Sequence, residues 1–141
     1  MVVGNVMDKI KRINPESLRI PTKSYSQGVL VPCGDSDLLF VTGQLSQDID
    51  GNVVAPDDVR VQTELVFSRI SVILEEGGMT MDDVVKVGIF VKDIKDSKIV
   101  SKVRDRVFEN SRPASTLVEV SNFVKEGCSV EIDVIAAKVR G

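Results

Sequence analysis

Between Val84 and Val91 the chain reads Val-Val-Lys-Val-Gly-Ile-Phe-Val, apolar on both alternating faces, as a strand buried on both sides reads. Near the C-terminus Val130, Ile132, Val134 and Ala136 alternate with Glu131, Asp133, Ile135 and Ala137. One face of a strand over 130–139 is therefore apolar throughout, and the other only in its second half. Lys11-Arg12-Ile13 predicts a short strand stopped by Asn14-Pro15. A second strand over about 26–31 is expected to end at the turn cluster Pro32-Cys33-Gly34-Asp35, with 38–43 returning as its hairpin partner. Asp48-Ile49-Asp50-Gly51-Asn52 is another turn, and 115–120 is a further strand.

Two stretches change period. Val59, Val66, Ile70, Ile73 and Leu74 form one stripe at helical spacing, which predicts a long helix over 57–76. Asp57 and Asp58 follow Pro56 at its start, suiting a cap and the helix dipole, and Gly77-Gly78 closes it. Val100, Val103 and Val107 give a second helix, 97–109, an inner face. The order is β-β-β-α-β-α-β-β, an α+β single domain over residues 11–141 preceded by a loosely attached extension, residues 1–10. Two helices cover one face of such a sheet. The doubly apolar strand Val84–Val91 requires a cover on the other, and a second copy of the chain is the economical one.

The bulk properties narrow the functions. With 141 residues, 28% charged and 43% apolar, the chain is sized and balanced for one globular core. A net charge of −3 lacks the basic excess of a nucleic-acid binder. No apolar run is long enough for a membrane span, and the start lacks the pattern of a signal peptide, so a cytoplasmic protein is expected. The two cysteines, Cys33 and Cys128, are expected to be free, partly buried residues beside turns. There is no histidine, so acid–base chemistry falls to carboxylates, Tyr25, lysines, backbone groups or water.

Several short motifs then occur in a telling order: Tyr25-Ser26-Gln27-Gly28, Leu39-Phe40-Val41-Thr42-Gly43-Gln44, Asp83-Val84-Val85-Lys86 and Phe90-Val91-Lys92-Asp93. Arg112-Pro113-Ala114-Ser115-Thr116-Leu117-Val118-Glu119-Val120 follows, and after it Val130-Glu131-Ile132-Asp133-Val134-Ile135-Ala136. Together they closely resemble the RidA (YjgF-type, endoribonuclease L-PSP-like) family, over about 13–139. The resemblance implies a chorismate-mutase-like fold. It also implies a homotrimer with a central barrel of sheets, outer helices and small-molecule clefts between adjacent subunits. The implied activity is hydrolysis of reactive enamines and imines, with no metal and no organic cofactor.

By the same resemblance Glu131 is the catalytic carboxylate, Tyr25 walls the pocket, Thr42 stands where the family has a small hydroxyl residue and Gly43 presents its backbone N–H. Asp133 shares a strand face with Glu131, so burial and like-charge repulsion are expected to raise a carboxyl pKa there. A plain interface glutamate, paired for example with Lys86, is the structural alternative. Ser115 is the departure, because the family has arginine at that position to clamp a substrate carboxylate. Two charge-assisted bonds from an arginine fork contribute about 3–5 kcal/mol, against ~1 kcal/mol for one serine hydrogen bond. Affinity for a small 2-imino acid is then expected to fall by about two orders of magnitude. Lys23, two residues from Tyr25, and Arg112, three before Ser115, are candidate compensating cations.

Two functions fit these residues. One is an enamine/imine deaminase with altered substrate preference; the other is a non-catalytic trimer that binds a metabolite or acts as a chaperone-like or regulatory surface. A nuclease role fits poorly with a chain that is acidic and without histidine.

Overall fold

Asp58 begins the long helix. Its carboxylate accepts from the backbone N–H of Val61 at 3.1 Å, and α1 runs Val59–Glu76. Gly77 and Gly78 end it, Gly78 at a φ of 78° that other residues rarely adopt. The computed structural model describes residues 9–141. The expected N-terminal extension falls almost wholly on residues 1–8, outside the described residues. The strands are β1 Lys11–Ile13, β2 Gly28–Cys33, β3 Ser36–Gln44, β4 Val84–Val91, β5 Ala114–Glu119 and β6 Val130–Val139, and α2 is Ser97–Val107.

The six strands form one sheet in the order β1-β2-β3-β6-β4-β5. Only β4 and β5 pair in parallel, across α2; the other neighbours are antiparallel. β6 is threaded between β3 and β4, so the two strands joined by α1 are parallel to each other without touching. This is a split β-α-β unit. The α+β class and element order expected from the sequence are those observed.

The hairpin differs from expectation in one respect. Cys33 pairs with Ser36, so the turn is only Gly34-Asp35, with Gly34 at φ 61° as a two-residue hairpin favours. Pro32 and Cys33 belong to β2. β1 pairs only with Gly28, Val29 and Leu30, so Pro32 sits where β2 has no second neighbour, and its missing N–H costs no ladder bond. Cys33 is accordingly exposed, whereas Cys128 is buried; both are free thiols.

Both helices lie on one face. Leu39, Val41, Val87, Ile89, Val91, Val130, Ile132, Val134 and Ala136 pack there under Val66, Ile70, Ile73, Leu74, Val100 and Val103. Phe67 and Phe108 meet edge to face at 5.4 Å, tying α1 to the end of α2. The opposite face carries Phe40 and Val118, each 42% exposed, with half-buried Phe90 and Ile135. No helix among the described residues is long and apolar enough to cross a membrane.

Candidate functional site

A bulge builds the site. Along β3, Val41 faces Val134 and Gln44 faces Ile132, three steps on one strand against two on the other. The extra residue falls at Thr42-Gly43 and re-aims that segment, a device common beside binding sites. Thr42 is fixed twice: its N–H donates to Gln27 O at 2.9 Å and its hydroxyl to Ser26 O at 2.5 Å.

Gly43 lies under the carboxylate of Glu131. A Cβ at position 43 would stand 3.0 Å from the Glu131 Cδ and 3.1 Å from its Oε1, so only glycine leaves the carboxylate where it is. Gly88 serves Asp133 in the same way, with Oδ1 2.5 Å from where a Cβ would be. Each carboxylate of β6 thus rests over a glycine of a neighbouring strand.

Burial raises the pKa of Glu131 first, and the charge of Asp133 raises it further. Asp133 is also raised by burial, opposed by Lys86 and by the Gly88 N–H. Lys86 donates to Val87 O at 3.4 Å and Thr116 Oγ1 at 3.3 Å. Among the described residues Glu131 makes no ion pair. The alternative of a Lys86–Glu131 pair is not formed within the chain.

A cleft of about 590 Å³ opens above Glu131, and Lys23, Tyr25, Thr42 and Gly43 line it too. Five of the residues singled out in the sequence are therefore gathered in one place. Tyr25 is 54% exposed at its mouth. Ser115 and Arg112 lie elsewhere, in a second pocket of about 610 Å³ beside the end of α2. The two pockets share no lining residue.

Beneath the cleft runs a buried polar chain that the sequence reading did not anticipate. Arg69 Nε donates to Gln44 Oε1 at 3.3 Å and Nη1 to Gln47 O at 2.7 Å. Gln44 Nε2 donates to Gln27 Oε1 at 2.7 Å and Thr42 O at 2.9 Å. Gln27 in turn donates from Nε2 to Arg19 O at 3.0 Å and from its backbone N–H to Asn14 Oδ1 at 2.9 Å. Burial lowers the Arg69 pKa. A signal existed: Gln62, Val66, Arg69 and Ile73 recur at the spacing of the buried stripe.

Comparison with other proteins identifies the family that carries this fold. The family model described as Endoribonuclease L-PSP matches residues 16–138. The chain belongs to the RidA (YjgF-type) family. A RutC family protein of Saccharolobus solfataricus is 39% identical over 118 residues, covering 84% of this chain and 90% of that one. A Rid-family crystal structure from Yersinia pestis superposes with a TM-score of 0.80 at 32% identity, covering 90% of this chain and 98% of that one. A relative from Dermatophagoides farinae named 2-iminobutanoate/2-iminopropanoate deaminase is 29% identical over 115 residues, 82% of this chain and 86% of its own. The RidA-family fold thus carries the cleft, with Glu131 over Gly43 at its base.

Proposed function

We propose that this RidA-family chain hydrolyses small reactive enamines or imines in the Glu131 cleft, with a substrate preference altered by Ser115. The observation that supports it most is Glu131 itself: half-buried, without an ion pair among the described residues and raised in pKa, it faces a cleft walled by Tyr25 and Thr42. A carboxyl group of that kind exchanges a proton near neutral pH more readily than an ordinary one. Protonated Glu131 gives its proton to the imine nitrogen, and water adds to the carbon as the carboxylate takes a proton back. Glu131 then passes that proton to the carbinolamine nitrogen, the C–N bond breaks, and the carbinol hydroxyl returns a proton to Glu131 as the carbonyl forms. Ammonia and a carbonyl compound leave. An enamine enters the same path after protonation at carbon.

The working form is a homotrimer with ligand clefts between adjacent subunits. The apolar sheet face bearing Phe40, Phe90, Val118 and Ile135 supports burial against further copies. The separation of the Ser115 pocket from the Glu131 cleft supports a site completed across subunits. A non-catalytic metabolite-binding or regulatory trimer is the second reading, favoured by serine at position 115.

A coupled assay decides between them. An amino-acid oxidase generates a 2-imino acid in solution, and 2-oxo acid release is timed with wild type, with Glu131→Gln and without added protein. Acceleration by wild type that Glu131→Gln removes is expected. Release at the uncatalysed rate with wild type, for charged and neutral imines alike, overturns the hydrolytic reading and leaves the binding one.

A further inference from the structure

Residues 14–27 form the outer wall of the Glu131 cleft and carry Arg19, Lys23 and Tyr25 to its rim. They lie between β1 and β2 and contain no helix or strand, so ladder bonds do not hold them. Besides the Thr42 N–H bond to Gln27 O, side chains tie this loop down. Asn14 Oδ1 accepts from the Gln27 N–H, and Ser26 O accepts from the Thr42 hydroxyl. The Gln27 side chain donates to Arg19 O and accepts from Gln44, which also donates to Thr42 O. Gln44 therefore joins the two walls, the loop on one side and the Thr42-Gly43 bulge on the other.

Arg69 on α1 stands behind Gln44 and is only 5% exposed. It makes no ion pair among the described residues. Its Nη2, and the Oε1 of the Gln47 whose carbonyl it bonds, are buried without a hydrogen-bond partner there. A buried charge without a counter-ion opposes stability, and an apolar side chain of similar size often packs as well or better. Such an exception to core chemistry is characteristic of a functional constraint. What the arginine contributes is direction. A guanidinium only donates, so the Gln44 amide must turn its oxygen to Arg69 Nε, at 3.3 Å, and its nitrogen to Gln27 Oε1 and Thr42 O. Gln27 then has its own amide nitrogen left for Arg19 O. The chain runs in one sense, from a donor-only end to carbonyls that only accept.

We propose that Arg69 is a positioning residue of the cleft: from inside α1 it fixes the sense of the Gln44–Gln27 chain and so holds the Tyr25 loop against the Thr42-Gly43 bulge. This inference rests on the proposed function only for what the cleft does; the placement of its walls stands apart from it. Arg69 acts through geometry and not through its charge on the carboxylate, since burial and Asp133 are what shift Glu131.

Tyr25 reports that placement directly, because the chain has one tyrosine and no tryptophan. The intact protein is labelled with fluorotyrosine, and its single fluorine resonance is recorded well below the melting temperature of each variant. Arg69→Met, and Arg69→Gln, whose amide accepts as well as donates, are expected to shift or split the line by more than its width. Arg69→Lys, another donor-only cation, should restore most of it. Gln44→Glu keeps an acceptor for Arg69 and gives it a counter-ion, yet loses both donated bonds. That variant should fold and displace the line. Ile70→Val, a core truncation on the same helix outside the chain, should lower the melting temperature and leave the line unmoved. In the imine assay Arg69→Gln should lose kcat several-fold without a shift of the pH profile. A wild-type line in folded Arg69→Gln and Arg69→Met overturns the proposal; if neither folds, a wild-type line in Gln44→Glu does. So does failure of all three to fold, which makes Arg69 a residue of the fold alone. A line that Ile70→Val moves as far as Arg69→Gln overturns it as well. A displaced line in a protein without imine turnover supports the positioning and removes only the hydrolytic reading.

Discussion

At residue 43 the absence of a side chain is what locates the Glu131 carboxylate. Gly43→Ala would place a methyl group 3.0 Å from Cδ, and Glu131 must then move by some tenths of an ångström. Turnover of an imine should fall several-fold, less than the roughly 100-fold that a displacement of about 1 Å costs, while the circular dichroism spectrum stays that of wild type. Glu131 also makes a prediction about pH. Burial and Asp133 raise its pKa in the fold above the ordinary 4.5. Its contribution to stability is thus fully present below that value and is lost as pH rises through the folded pKa. Glu131→Gln removes the loss. Its melting temperature should match wild type in acid and exceed it increasingly towards neutral pH. Glu131, Tyr25, Thr42 and Gly43 were readable because each lies in a local motif. The hydrogen bond from Arg104 on α2 to Ser115 was not, because it spans the helix end and a left-handed turn, and no short pattern encodes that.

At the scale of elements, periodicity carried the reading wherever burial was one-sided. The stripe on α1 and the bounds of β4 follow from apolar spacing, and β6 follows from its alternation. The hairpin followed less well: proline and cysteine read as turn residues, yet both lie in β2 because the edge there needs no N–H from Pro32. The start of α1 offers a direct check. Asp58→Ala removes the acceptor of the Val61 N–H and should cost about 1 kcal/mol. In a chain of this length thermal melting should shift down by roughly 2–5 °C. A larger loss would mean that Asp58 also supports the neighbouring left-handed Ala55 and Asp57.

At the scale of the molecule, the sheet has one face too many. Its apolar residues were visible in the sequence as a strand without a polar side, and the fold leaves Phe40 and Val118 uncovered in the single chain. Phe40→Asp should turn the proposed trimer into monomers by sedimentation velocity, with most of the proposed imine-hydrolysing activity lost. Retention of the trimer would place the contact elsewhere. The division of the site has a genetic consequence. If one copy offers the Glu131 cleft and its neighbour the Ser115 pocket, two defective alleles need not add up to a defective protein. Glu131→Gln and Ser115→Trp, each inactive alone, should complement when unfolded together and reassembled. With random mixing in a cyclic trimer, about a quarter of the sites regain both intact halves. A cell carrying both alleles would then keep an activity that neither allele encodes by itself.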